Sequence, residues 1–85
     1  MSGYKIEIKK EAEKELRKLS KSEANTIVSS ILELSKNPRP PGCKKLTDLE
    51  NLWRIRKGNY RIIYSIYDRL LLIEIIRIGH RKDIY

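Results

Sequence analysis

The sequence predicts an α+β domain. An N-terminal strand leads into an antiparallel helical hairpin packed on a four-stranded, largely antiparallel sheet, in the order β-α-α-β-β-β. Three observations predict it. Apolar residues recur at helical spacing between Ala12 and Leu34. They alternate with period two at Tyr4 to Ile8 and again from Leu52 to Tyr67. Two short turn signals, Gly58-Asn59 and Asp68-Arg69, join the last three strand-like runs into a meander.

Tyr4, Ile6 and Ile8 alternate with Lys5 and Glu7, the pattern of a half-buried strand. From Lys9 to Leu19 the apolar stripe Ala12, Leu16, Leu19 runs among Lys and Glu and reads as a helix. Ser20 followed by Glu23 is a capping box, so a second helix starts there with Ala24, Ile27, Val28, Ile31 and Leu34 on one face. Asn37-Pro38 stops it, because a residue before proline avoids helical backbone. Pro38 to Gly42 is a stiff loop, and Cys43 to Asn51 reads as an irregular connection.

Leu52 to Lys57 puts Trp53 and Ile55 on one face and Arg54 and Arg56 on the other. Tyr60 to Tyr67 separates Tyr60, Ile62, Tyr64 and Ile66 from Arg61, Ile63 and Ser65. Leu70 to Ile78 is apolar at nearly every position, as expected of a central strand. The helices must bury their stripe on one sheet face. The side with Trp53, Ile55, Tyr60, Ile62 and Tyr64 matches it. Arg54, Arg56 and Arg61 then lie together on the opposite face.

The chain has 85 residues and a mass of 10.1 kDa, which allows one domain, residues 1–85, with one small core. With 40% hydrophobic and 35% charged residues it is neither a disordered tail nor a membrane protein. No signal-peptide core follows Met1, and a cytoplasmic location is expected. Cys43 is the only cysteine, so an internal disulfide is excluded, as is a Zn site of Cys and His, for which only His80 remains. No cofactor is implied. No acidic cluster suited to Mg²⁺ is visible, which argues against a two-metal nuclease.

Nineteen Lys and Arg against eleven Asp and Glu give a net charge of +8. Arg54, Arg56, Lys57 and Arg61 fall in a stretch, Leu52 to Ile66, that contains no acid. Such an excess points to a polyanion, nucleic acid first. Guanidiniums grip phosphate through two parallel hydrogen bonds and keep their charge. His80 can exchange a proton near neutral pH. Tyr85 can stack on a base or join acid–base chemistry. Cutting RNA needs little more: the 2′-hydroxyl loses a proton, charge on the phosphate oxygens is stabilised, and the 5′-oxygen gains a proton.

Leu52-Trp53-Arg54-Ile55-Arg56-Lys57-Gly58-Asn59-Tyr60-Arg61-Ile62-Ile63-Tyr64 and Arg77-Ile78-Gly79-His80-Arg81-Lys82-Asp83-Ile84-Tyr85 resemble the RelE/ParE toxin superfamily, most of all its RelE branch. The element order and the Asn37-Pro38 stop agree, so the resemblance spans nearly the whole chain. It implies a type II toxin, a metal-independent endoribonuclease that cuts mRNA in the ribosomal A site. Carried over by motif, the catalytic candidates are Arg54, Arg56, Arg61, Arg81 and Tyr85, with His80 added by its chemistry. Lys44, Lys45, Lys57 and Lys82 join Arg54, Arg56, Arg61 and Arg81 as RNA-binding candidates. Some relatives have lysine where Arg54 and Arg56 stand. Arginine does not give up its proton, so His80, Tyr85 or a lysine must act as base. The implied partners are an acidic RelB-like antitoxin wrapping the basic groove, the 70S-type ribosome with its mRNA, and operator DNA through the antitoxin alone. The alternatives are a ParE-type gyrase inhibitor without nuclease chemistry, or a degenerate toxin that keeps only antitoxin and operator binding.

Overall fold

The structure is a computed structural model and describes residues 3–46 and 51–80. The observed order is β1 (Lys5–Ile8), α1 (Lys10–Arg17), α2 (Lys21–Lys36), β2 (Lys44–Lys45), β3 (Trp53–Lys57), β4 (Tyr60–Tyr67), a 3-10 turn (Asp68–Leu70) and β5 (Leu72–His80). The strands form one mixed sheet in the order β1-β5-β4-β3-β2, with β1 parallel to β5 and all other pairs antiparallel. The expected four strands become five, because Lys44 and Lys45 pair with Arg54 and Trp53 in the segment read as irregular. The connection before β5 is also longer than a two-residue turn. It ends at Leu71, whose φ of 50° lies in the left-handed region.

The helices cover one face. Ala12 of α1 and Ile27, Ile31 and Leu34 of α2 pack on Ile55, Ile62, Tyr64, Ile66, Ile73, Ile75 and Ile78. The α2 start is fixed as its sequence indicates: Glu23 N–H donates to Ser20 Oγ, and Ser20 N–H donates to Glu23 Oε1. Tyr64 is fully buried, and its hydroxyl donates to the Pro38 carbonyl at 2.7 Å, tying the end of α2 to the sheet. Burial pushes the Tyr64 phenol well above its ordinary value, so it stays a donor.

Ile75 and Ile78 both point into this core although they are three positions apart. Strict alternation forbids that. A β-bulge resolves it: Tyr64 pairs with Ile75 and Ile63 with Arg77, leaving Ile76 as the extra residue. Both Ile76 and Arg77 therefore leave the core side.

β1 ends at Ile8, so β5 has an open edge beyond Ile75. α1 closes that edge. The Glu15 carboxylate accepts from the Ile78 backbone N–H at 2.9 Å and from the Arg77 guanidinium at 2.8–3.2 Å. Partial burial alone would raise the Glu15 pKa, but the Arg77 and Ile78 hydrogen bonds outweigh it and hold it below the usual carboxylate range. Arg39 and Tyr4 likewise hold Asp68 low. A carboxylate depressed in the folded state stabilises it above its unfolded pKa, about 4. That stability is lost as pH falls through the folded value. Glu15→Gln is therefore expected to flatten the fall in melting temperature below about pH 4 and to lower stability at neutral pH, as a thermal melt series across pH will show. An unchanged acid slope would contradict this role for Glu15.

Candidate nucleic-acid interface

Directly opposite residues on antiparallel strands share a face. Arg56 lies opposite Arg61, and Arg61 opposite Gly79. Arg54 lies opposite Ile63, and Ile63 opposite Arg77, with Lys44 opposite Arg54 on the other side. These two rows face away from the helices and are about 6.6–6.8 Å apart along the strands. Neither row contains a carboxylate. Gly79 adds no side chain to the row of Arg61.

The face is not a bare solvent surface. Arg54 is 8% exposed, Ile63 6% and Ser65 5%. The Nε of Arg54 is buried with no hydrogen-bond partner among the described residues. A buried guanidinium N–H left unpaired is costly, and an anionic oxygen is its natural complement. Arg56 is exposed, and Arg61 half-buried. Arg77 is turned toward α1, where Glu15 holds it.

Not every candidate gathers there. His80 lies opposite Tyr60, and both point to the α2 side of the sheet. Their rings meet edge-on with centroids 5.7 Å apart, and the Tyr60 hydroxyl donates to Glu23 Oε2 at 3.1 Å. The register thus separates His80 from the guanidinium rows, contrary to the expectation that it stands beside them. Lys57 pairs with Tyr60 and lines a hollow against Ser22 and Thr26, also on the α2 side. Lys45 shares the face of Trp53, whose ring carries the Arg39 guanidinium at 5.0 Å.

The next rows beyond Arg54 went unnoticed in the sequence. Ser65 lies opposite Glu74, and Tyr67 opposite Leu72, on the same face as Arg54. With Leu52, Ile76 and Arg77 they line an open groove that Lys9 and Glu11 border. The bulge hid it: Glu74 and Arg77 are three positions apart, so strict alternation puts them on opposite faces, and the extra residue Ile76 brings both to this one.

Comparison with known proteins decides the family. The family profile described as "ParE toxin of type II toxin-antitoxin system, parDE" matches residues 6–85. The chain belongs to the RelE/ParE toxin superfamily. Within it, this RelE-type toxin is 34% identical to Toxin RelE of Mycobacterium tuberculosis, over 96% of this chain and 86% of the relative. It is 26% identical to the mRNA interferase toxin RelE of Escherichia coli, over 94% of this chain and 85% of the relative. Its fold matches the toxin in the RelE–RelB complex of Pyrococcus horikoshii with a TM-score of 0.84 at 28% identity, covering 95% of this chain and 98% of the other. Of the RelE-type motif positions, Arg54, Arg56 and Arg61 fall in the two basic rows. Arg81, Lys82 and Tyr85 lie outside the described residues. Among the described residues, no helix is long and apolar enough to cross a membrane.

Proposed function

We propose that this RelE-type toxin is a ribosome-dependent endoribonuclease that cuts mRNA in the A site. The observation that carries the reading is the pair of acid-free rows that sets Arg54, Arg56 and Arg61 on one face. The name of the Escherichia coli relative, mRNA interferase toxin, supports the same chemistry. In the reaction the 2′-oxygen bonds to phosphorus as its proton leaves to a base. The bond from phosphorus to the 5′-oxygen breaks, and that oxygen takes a proton. A 2′,3′-cyclic phosphate and a free 5′-hydroxyl result. Arg54 and Arg61 offset the charge growing on the non-bridging oxygens, and Arg56 holds the neighbouring phosphate. Arg81 adds a further cation. With His80 engaged on the α2 side, the base is Tyr85 or a lysine such as Lys44.

The partner proposed is an acidic, RelB-like antitoxin that covers the basic rows, in keeping with the RelB-bound toxins among the solved relatives. Operator DNA would be reached through that antitoxin, and the site of action is the cytoplasm.

Inducing the protein in cells and mapping mRNA 5′ ends tests the reading. Cuts confined to translated codons are expected. Intact mRNA with double-strand DNA breaks would favour gyrase inhibition, the activity of the ParE branch after which the matching profile is named. Binding to the programmed ribosome is expected to weaken steeply with salt, by about tenfold or more between 50 and 200 mM, because phosphate contacts release counterions. A flat salt response would contradict the phosphate-gripping role of the rows.

A further inference from the structure

The face away from the helices continues past the guanidiniums. Moving along β4 away from Arg61, the rows read Arg61, Ile63, Ser65 and Tyr67. Their neighbours on β5 read Gly79, Arg77, Glu74 and Leu72. The face changes character at the third row: two rows with no acid give way to a groove with a buried hydroxyl, a carboxylate and an aromatic ring. Ser65 is 5% exposed and forms its floor together with Ile76. Tyr67 is 38% exposed, and its hydroxyl lies 3.5 Å from Glu74 Oε1. Lys9 Nζ sits 3.8 Å from the other oxygen of Glu74. The sheet core does not need this arrangement, because the Glu74 side chain stands on the side away from the helices.

A carboxylate here repels phosphate, so the groove does not prolong the backbone track. It suits the other half of a nucleotide. An aromatic ring at the rim offers a base a stacking surface, and stacking tolerates any base. A carboxylate at the wall accepts and cannot donate, so it favours a base edge bearing an exocyclic amine over the carbonyl oxygens of uracil. The row spacing of about 6.6–6.8 Å along the strands lets a single strand held at Arg54 place its neighbouring base one row further on.

We propose that this groove, with Tyr67 and Glu74 as its working side chains, is a nucleobase subsite that selects which codon the toxin cuts. The proposal rests on the nuclease reading above and adds the ligand of a site that the reaction itself does not use. Tyr67 supplies contact area without discrimination. Glu74 supplies the discrimination by its demand for a donor.

The test is mRNA 5′-end mapping in cells that express the unaltered chain, Glu74→Gln or Tyr67→Ala. Glutamine keeps the shape of glutamate but presents an amide that both donates and accepts. In the Glu74→Gln profile, cutting is expected to persist while preference at one codon position relaxes toward uracil by about tenfold, the worth of one hydrogen bond to a charged group. Tyr67→Ala is expected to lower cutting at all codons by about tenfold or more, the worth of one stacked base, without changing their ranking. Codon profiles of both variants that superimpose on that of the unaltered chain, with cutting intact, would overturn the subsite. So would a Glu74→Gln protein that melts normally yet cuts nothing, since that places Glu74 in the reaction rather than in base choice. Absence of cutting by the unaltered chain would instead sink the nuclease reading, and the subsite with it.

Discussion

Replacing Arg61 with alanine is expected to lower ribosome-bound mRNA cleavage by about 100- to 1,000-fold, the usual effect of removing one preorganised donor to developing charge. Arg61 lies opposite both Arg56 and Gly79, at the centre of its row. The charge it meets is greatest in the transition state, so its loss should lower kcat more than binding. Arg61→Lys is expected to recover part of the rate, since it restores the charge but not the planar fork. Primer extension on a programmed ribosome measures both, with a thermal melt alongside to show that the fold survives. An Arg61→Ala protein that cuts at the unaltered rate would remove the guanidinium rows from the mechanism.

The largest stability effect is expected at Tyr64. Tyr64→Ala should cost about 3–5 kcal/mol, as truncating a buried aromatic does. That is a large fraction of the total for a domain this small, about 5–15 kcal/mol. Tyr64 packs against the helices at the bulge and also satisfies the Pro38 carbonyl. Tyr64→Phe separates these roles. It keeps the ring and leaves the carbonyl unpaired, for an expected cost of about 1–3 kcal/mol. Urea unfolding of the two variants measures each contribution. Equal losses would mean that the hydroxyl, rather than the packing, dominates. The nuclease rate of Tyr64→Phe should be unchanged, because its side chain is on the face away from the arginines.

The elements legible in the sequence are those with strong local signals. The capping box at Ser20 and Glu23, the stop at Asn37-Pro38 and the turn at Gly58-Asn59 each depend on a few adjacent residues, and each is observed. Alternation also sorts Arg54, Arg56 and Arg61 from Trp53, Ile55 and Ile62, because that stretch of the hairpin is free of bulges. What stayed hidden depends on partners distant in sequence. Lys44 and Lys45 become a strand only because β3 lies beside them. The run from Leu72 to Ile78 has only Glu74 and Arg77 among apolar residues, and their odd spacing is the one trace of the extra residue at Ile76, so the groove is not legible from alternation alone. His80 is one residue from Gly79, and one residue is enough to turn a side chain to the other face. Chemistry nominates His80 for the reaction; register pairs it with Tyr60 instead.

The parallel pairing of β1 with β5 joins residues such as Lys5 and Leu72 that lie at opposite ends of the chain. Such a contact carries a high loop-closure entropy, whereas the β3–β4–β5 meander and the helical hairpin assemble from near neighbours. Docking of β1 is therefore expected late in folding, after the meander has formed a template edge. Changes in β1 should act mainly on the unfolding rate, and changes at the β3–β4 turn on the folding rate.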